Sequence, residues 1–231
     1  MATKVDGLLF DKDGTLFDFH ATWSVWAASI IDELAAGDAD KIARLAAALD
    51  YDLDKQEFAP TSVVIAEPTR KLAESIVVVL GEGSVSEIEH FLMMTASEVP
   101  QTQSLPLAPF LTDLASRGLA LGVMTNDNEF AARAHLKSVG VEDHFNFIAG
   151  FDSGFGAKPE PGPLLAFAKA TGLAADRVAM VGDSTHDLIA GRAAGMQTIG
   201  VLTGLALSDE LAPYADIILP DIGHIPAWLT R

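Results

Sequence analysis

Short apolar runs, each bounded by turn-forming residues, recur along the chain at residues 5–10, 119–124, 145–149, 178–181, 198–202 and 217–219. Runs of this length are typical of strands that are buried on both faces of a sheet. Helical periodicity precedes or separates the later runs, at residues 107–116, 129–139, 161–171 and 185–194. A glycine placed as a C-terminal cap follows each of these helices, at positions 118, 140, 172 and 195. This alternation predicts an α/β fold with a parallel sheet and helices on both faces.

The segment between the first and second predicted strands breaks the alternation, because it contains only helical periodicity. Its helical stretches are residues 23–36, 39–49, 69–80 and 85–97, and Ser84 with Glu87 forms a capping-box pattern before the last of them. The polar, proline-rich residues 97–109 are suited to a return linker, and residues 17–21 to an outgoing one. The pattern predicts an inserted all-helical domain at residues 18–99 and a core domain formed by residues 1–17 and 100–231.

The composition is that of a folded globular protein, with 49% hydrophobic and 20% charged residues among 231. The formal net charge of -17 repels phosphate backbones and anionic lipid surfaces, so we expect neither nucleic acid nor membrane as a partner. No apolar run approaches the roughly 20 residues of a membrane helix, and the first residues lack the apolar segment of a signal peptide. We therefore expect the protein to be located in the cytoplasm. Cysteine is absent, which excludes disulfides, thiolate metal sites and cysteine nucleophiles.

Polar residues that can act in catalysis or bind ions follow four of the predicted strands. In chain order they are Asp11 and Asp13, then Thr125 with Asn126 and Asp127, then Lys158 in the segment GAKPEPGP, and finally Asp183 and Asp187 in GDSTHD. In open parallel sheets, ligands bind beyond the carboxyl ends of the strands. The sequence therefore predicts a site at that edge of the sheet.

Each of these residues also has an ordinary structural interpretation when it is taken alone. Aspartates after a strand commonly cap the next helix or solvate a turn, and an isolated threonine or lysine at a strand end is more often structural or solvated. A calcium loop of the EF-hand type is excluded, because its sixth position requires glycine and this chain has Leu16 there. The occurrence of all four sets on strand ends is what favours a functional site.

The segments FDKDGTL, VMTND, the lysine of GAKPEPGP and VGDSTHD, in this order, resemble the four motifs of the haloacid dehalogenase-like (HAD) phosphohydrolase superfamily. The match extends over most of the chain. The position of the helical insert resembles the type I helical cap of phosphoglycolate phosphatase-like members. The resemblance implies a Rossmann-like three-layer α/β/α core with a parallel sheet and an inserted all-helical cap domain.

The resemblance also implies catalytic roles, which agree with the needs of phosphoryl transfer. Asp11 would be the nucleophile that forms an aspartyl-phosphate, and Mg²⁺ would be held by Asp11, the Asp13 backbone carbonyl and Asp183. Asp13 would give a proton to the leaving alcohol and later take one from the attacking water. Lys158 would place a fixed cation beside the phosphoryl group, and Thr125 would donate a hydrogen bond to one of its oxygens.

Two further sets of residues follow from the same motifs. Asp187, one helical turn after Asp183, would orient Lys158 or a water molecule bound to the metal ion. The residues expected to bind the substrate phosphate are Lys12, Asp13, Thr125, Asn126 and Lys158.

Lys12 would contribute to phosphate binding through its backbone N–H. If extended geometry continues past Phe10, Asp11 and Asp13 project to one side and the Lys12 side chain to the other, because strand side chains alternate. We therefore expect the Lys12 side chain to point away from the site and to be solvated or ion-paired rather than catalytic.

The motifs predict a Mg²⁺-dependent phosphatase that acts on a small phosphorylated metabolite, such as phosphoglycolate or a sugar phosphate. Dehalogenase members of the superfamily lack the second aspartate, so Asp13 argues against that activity. A phosphomutase remains an alternative, because it uses the same aspartate pair. So does a phosphonate hydrolase, which would use a cap lysine, Lys41, Lys55 or Lys71, to form a Schiff base. A non-enzymatic protein that senses phosphate or binds a partner is the remaining alternative.

Overall fold

The computed structural model describes residues 4–59, 62, 64 and 69–230, so residues 1–3, 60, 61, 63, 65–68 and 231 of the predicted domains lie outside the described residues. The chain divides into two compact units. One consists of Met1–Phe19 and Gln101–Arg231, and the other of His20–Pro100. The first unit contains a large sheet and the second contains the helical insert.

Eight strands and ten α-helices lie within the described residues. The strands are β1 (Gly7–Phe10), β2 (Tyr51–Asp52), β3 (Glu57–Phe58), β4 (Ala120–Met124), β5 (Phe147–Ala149), β6 (Val178–Gly182), β7 (Gln197–Val201) and β8 (Ile217–Leu219). The helices are α1 (Phe19–Ala35), α2 (Ala39–Ala48), α3 (Thr69–Leu80), α4 (Val85–Glu98), α5 (Leu107–Ser116), α6 (Glu129–Ser138), α7 (Gly162–Thr171), α8 (Thr185–Ala193), α9 (Ser208–Leu211) and α10 (Ile225–Leu229). None of these helices has the length and apolar character that crossing a membrane requires.

The six predicted strands form one sheet in the order β5-β4-β1-β6-β7-β8. Every neighbouring pair is parallel, and Gly7 at the start of β1 lies between Ala120 of β4 and Val178 of β6. From the central strand β1 the chain continues to one side through β4 and β5, and then to the other side through β6, β7 and β8. Strand order therefore reverses next to β1, which is where ligands bind in sheets of this type.

Side chains of the sheet are covered by helices on both faces. Along β1, Leu8 and Phe10 belong to a buried cluster that includes residues of α5, α6 and α10, whereas Leu9 belongs to a second cluster with residues of α7 and α8. Alternate side chains of a strand point to opposite faces, so β1 is buried on both. The predicted three-layer α/β/α core is confirmed.

The second unit consists mainly of helices, but the prediction that it is all-helical is wrong in one detail, because it also contains a short hairpin. Strands β2 and β3 pair in antiparallel fashion, with Tyr51 opposite Phe58 and their rings 5.1 Å apart. The predicted capping box at the start of α4 is present, since Ser84 Oγ accepts from the Glu87 N–H and the Glu87 carboxylate accepts from the Ser84 N–H. Strands of two residues are too short to produce a detectable alternation, which explains why the hairpin was not predicted.

Candidate active site

Asp11 lies at the carboxyl end of the central strand. Its backbone N–H donates to the carbonyl oxygen of Val181 at 2.8 Å, which extends the pairing of β1 with β6 by one residue. The chain then bends at Lys12 and turns back, because the N–H groups of Leu16 and Phe17 both donate to the Lys12 carbonyl oxygen. This turn leaves the Asp11 carboxylate at the edge of the sheet, where the neighbouring strands also end.

Lys158 contacts Asp11 directly. Its Nζ lies 2.5 Å from Asp11 Oδ1, 2.6 Å from Asp187 Oδ1 and 3.0 Å from the carbonyl oxygen of Met124, the last residue of β4. Three acceptors match the three N–H donors of an ammonium group. The side chain of Asn126 fixes the backbone of this lysine, accepting from its N–H and donating to its carbonyl oxygen, each at 2.9 Å.

Asp11, Asp183 and Asp187 form a buried carboxylate cluster, in which one oxygen from each lies within 4.8 Å of the others. Two glycines make room for Asp183: a Cβ added to Gly14 would lie 2.5 Å from its carboxylate, and one added to Gly204 would overlap it. Asp11 after β1 and Asp183 after β6 therefore belong to the cluster, and Gly204 after β7 leaves space beside it.

Burial and like charges determine the protonation of the cluster. Burial raises the pKa of Asp11 from 3.8 to about 7, with Lys158 opposing the rise and Asp187 and Asp13 adding to it. Burial, with the charges of Asp11 and Asp187, raises the pKa of Asp183 well above its usual range. Burial lowers the pKa of Lys158, but Asp11 and Asp187 outweigh this effect, so the net shift is upward and Lys158 is a cation.

The cluster fits a hard divalent cation. When all three carboxylates are ionised, one ammonium group cannot balance them at a place that water screens little. Without a further cation, burial and this repulsion raise the pKa of Asp11 and Asp183. Carboxylate oxygens are the ligands that Mg²⁺ prefers in proteins, and one or two carboxylates usually hold it. Asp11 and Asp183 are therefore suitable ligands, and Asp187 is engaged by Lys158 and by the start of α8, where its Oδ2 accepts from Ser184.

Thr125 lies buried at the end of β4. Its N–H donates to the Ala149 carbonyl oxygen at 3.1 Å, and its Oγ1 accepts from the Asp127 N–H at 3.0 Å. Because this bond uses a lone pair of the hydroxyl oxygen, the hydroxyl hydrogen remains available for donation to a ligand.

The side chain of Lys12 is ion-paired, which is one of the two expected states, but its direction differs from the expectation. It is fully buried, with Nζ 2.9 Å from Asp13 Oδ2 and 3.2 Å from Asp127 Oδ2. Burial lowers the pKa of Lys12, but the two carboxylates outweigh this effect and the net shift is upward. The prediction that it points away from Asp13 is wrong, because β1 ends at Phe10 and the chain bends at Lys12 instead of continuing as a strand.

Sequence reasoning missed four residues that contact the predicted site residues or the turn between them. Thr15 Oγ1 donates to Asp183 Oδ1 at 3.3 Å, and Thr203 Oγ1 donates to the Gly14 carbonyl oxygen at 2.6 Å. The other two are Gly204, beside Asp183, and His135, whose Nδ1 lies 2.9 Å from Lys12 Nζ. Thr203 and Gly204 follow β7, so the strand-end argument could have found them, whereas His135 lies inside a helix and carries no local signal.

A family model of haloacid dehalogenase-like hydrolases matches residues 5–195 of the chain. This span covers most of the sequence and contains all four motifs. The protein therefore belongs to the haloacid dehalogenase-like hydrolase family, in agreement with the resemblance of its motifs.

Among individual members of the family, the chain is similar in sequence to phosphoglycolate phosphatases. The phosphoglycolate phosphatase of Neisseria meningitidis serogroup A is 36% identical over 150 residues, which cover 63% of this chain and 61% of that protein. The phosphoglycolate phosphatase of Pectobacterium atrosepticum is 28% identical over 242 residues, covering 96% of this chain and 94% of that protein. The match to the Neisseria protein thus spans about three fifths of that relative's length.

The fold also agrees with solved structures. The crystal structure of a predicted phosphoglycolate phosphatase from Haemophilus somnus 129PT superposes with a TM-score of 0.75 at 20% identity, covering 99% of both chains. At this identity the likeness establishes the fold alone.

Proposed function

We propose that the protein is a Mg²⁺-dependent phosphatase that hydrolyses a small phosphomonoester through an aspartyl-phosphate on Asp11. The observation that carries the proposal is the position of the Asp11 carboxylate, which lies at the carboxyl end of the central strand, against Lys158 and within a buried carboxylate cluster. The names of the relatives make phosphoglycolate, a small phosphorylated acid, the first substrate to test.

In the first step, Asp11 attacks the phosphorus atom of the substrate. Its Oδ1 is engaged by Lys158, so Oδ2 is the attacking oxygen. The new Oδ2–P bond forms as the bond from phosphorus to the substrate's ester oxygen breaks, and Asp13 gives its proton to that departing oxygen. The products of this step are the free alcohol and a phosphorylated Asp11.

In the second step, water attacks the phosphorus atom of the phosphorylated Asp11. Asp13, now a carboxylate, takes a proton from the water as the Oδ2–P bond breaks. Inorganic phosphate leaves, and Asp11 and Asp13 return to their starting protonation states. The Oδ1 atom of Asp13 is suited to giving and taking this proton, because it is buried and no described residue hydrogen-bonds to it.

Positive charge and hydrogen-bond donors around the phosphoryl group stabilise the transition state. Lys158 supplies a fixed cation, and the Thr125 hydroxyl supplies a donor. Asp11, Asp183 and the Asp13 backbone carbonyl would hold Mg²⁺, which when bound offsets the repulsion between the Asp11 carboxylate and the phosphate dianion. The backbone N–H groups of Lys12 and Asn126 would complete the phosphate site.

Replacing Asp11 with asparagine tests the proposal. The Asp11→Asn variant keeps the shape of the side chain but removes the nucleophile, so we expect Mg²⁺-dependent phosphate release to fall by at least about 10³-fold. Phosphate release is measured with phosphoglycolate, sugar phosphates and nucleotides as substrates. Asp6→Asn is the matched control, because Asp6 precedes β1 at its other end and pairs with Arg177. Retained turnover in Asp11→Asn would refute the mechanism.

The same assay separates the alternative activities. A phosphomutase would convert a sugar phosphate to its isomer with little release of inorganic phosphate, which product analysis by ³¹P NMR detects. Absence of turnover by the unmodified chain on all three substrate classes would favour the non-enzymatic alternative.

A further inference from the structure

The Lys12 side chain is the centre of a buried polar network, and the proposed chemistry gives this side chain no direct role. Its side chain is 0% exposed, yet it carries an ammonium group. The Nζ atom lies 2.9 Å from Asp13 Oδ2, 2.9 Å from His135 Nδ1 and 3.2 Å from Asp127 Oδ2. These three acceptors match the three N–H donors of the ammonium group, so each donor has a partner within the protein.

The network determines the tautomer of His135. An ammonium group can only donate, so Nδ1 of His135 must accept and the ring hydrogen must be on Nε2. A second proton on the ring would place two cations in contact at a site that is almost closed to water, since His135 is 1% exposed. His135 therefore acts as a neutral acceptor for Lys12.

Two of the three acceptors, Asp127 and His135, lie in α6 or directly before its N-cap. Asp127 Oδ1 accepts from the N–H and the Nδ2 of Asn128, at 2.7 and 3.0 Å, and Asn128 caps the start of α6 by accepting from the Ala131 N–H. His135 is on the same helix, next to the buried Leu136 of the core. The Lys12 ammonium group is thus fixed by α6 and the residue before its N-cap.

The third acceptor, Asp13, is the proposed proton donor and acceptor. Its Oδ2 is held by Lys12, while its Oδ1 is buried and makes no hydrogen bond with any residue that the structure describes. A carboxylate is rigid, so fixing Oδ2 also fixes the direction of Oδ1. A general acid must lie within about 2.6–3.2 Å of the atom it protonates, so this direction matters for catalysis.

We propose that Lys12, anchored by Asp127 and His135, is a positioning residue that aims the Asp13 carboxyl group at the leaving oxygen of the substrate. This inference rests on the proposed function of Asp13. A purely structural role predicts something different: loss of the network would then lower stability and affect all substrates alike. Misplacement of a general acid affects most those leaving groups that need a proton.

The Lys12→Met variant separates the two possibilities, because methionine fills a similar volume without the charge. The parameter kcat/KM reports the steps up to phosphoryl transfer to Asp11 and is measured for a simple alkyl phosphate and for 2,4-dinitrophenyl phosphate. We expect a fall of about 100-fold for the alkyl ester and of less than about 5-fold for the aryl ester, whose leaving group departs without a proton. Equal losses on both esters, or no loss on either, would overturn the inference.

Variants of His135 keep the test decisive if Lys12→Met folds poorly. In His135→Gln the amide oxygen can still accept from Lys12. We therefore expect the ratio of kcat/KM between the aryl and the alkyl ester to stay close to that of the unmodified chain. In His135→Leu the acceptor is lost, and we expect a selective loss on the alkyl ester. Leu136→Val is the matched control for destabilisation of α6, and it should affect both esters equally. A His135→Leu profile identical to that of Leu136→Val would contradict the inference.

A crystal structure of Lys12→Met provides a readout that does not depend on turnover. We expect the Asp13 carboxylate to leave its present rotamer or to occupy several positions, and an unchanged Asp13 would overturn the inference even if the kinetics changed. Failure of the proposed function has a different signature, since turnover would then be absent, or insensitive to Asp11→Asn, in the otherwise unmodified chain.

Discussion

Asn126 holds the backbone of Lys158 by two reciprocal hydrogen bonds. Its Nδ2 donates to the Lys158 carbonyl oxygen and its Oδ1 accepts from the Lys158 N–H, each at 2.9 Å. The two residues are 32 positions apart and follow different strands. The amide therefore joins two loops at the edge of the sheet and fixes the point from which the Lys158 side chain reaches Asp11.

Removal of this amide should lower both stability and activity. In Asn126→Ala the Lys158 loop loses both bonds, so we expect unfolding free energy to fall by about 1–3 kcal/mol. Displacement of the Lys158 ammonium group should lower kcat/KM by roughly 10- to 100-fold. Asn146→Ala is the matched control, because Asn146 Oδ1 accepts from the Leu121 N–H within β4, away from the strand ends. Comparable losses of kcat/KM in both variants would show that Asn126 acts only through stability.

Gly204 should tolerate no side chain. A Cβ at this position would overlap the Asp183 carboxylate, so Gly204→Ala must displace either Asp183 or the loop after β7. We expect a loss of roughly 100-fold in turnover, since a shift of about 1 Å in a catalytic group can cost that much. In Gly200→Ala, within β7, the nearest atoms would be 3.3–3.6 Å away, so this control should stay within a fewfold of the unmodified chain. Steady-state kinetics at saturating Mg²⁺ provide the comparison.

The main features of the core could be predicted because they depend on local sequence. Each buried strand is a short apolar run, and each of the glycines predicted as helix caps adopts a positive φ, for example +81° at Gly118 and +70° at Gly172. The polar residues that end the strands could then be placed at one edge by the parallel arrangement alone. The convergence of Asp11, Lys158 and Asp183 follows from that arrangement.

Other parts of the site depend on contacts between distant residues. Lys12 meets His135, 123 positions later, only because the chain bends after β1 and α6 packs beside it. The alternation of an ideal strand predicts the opposite orientation for Lys12. Gly204 could not be linked to Asp183 by periodicity, because its role is to leave space for a neighbour rather than to make a contact.

The stability of the metal-free protein should depend on pH through Asp11. Burial raises the pKa of Asp11 from 3.8 to about 7 in the folded state. Between these pH values the Asp11 carboxyl group is protonated in the folded chain and ionised in the unfolded chain. The free energy of unfolding therefore falls as pH rises from about 4 to 7. For this one group the fall is at most about 1.4 kcal/mol per pH unit. Urea denaturation in EDTA across this range measures the slope, which should be shallower in Asp11→Asn. Equal slopes in the two proteins would contradict the assignment.

Mg²⁺ should oppose this loss of stability. A bound cation favours the carboxylate form of Asp11 and Asp183, and it must displace a proton at low pH but not at high pH. At one fixed concentration, Mg²⁺ should therefore raise the free energy of unfolding more at pH 8 than at pH 5. Denaturation curves with and without Mg²⁺ at both pH values test this, and Asp183→Asn should lose most of the difference while Asp6→Asn keeps it. A Mg²⁺ effect that is the same at both pH values, or that survives in Asp183→Asn, would place the cation outside the Asp11 and Asp183 cluster.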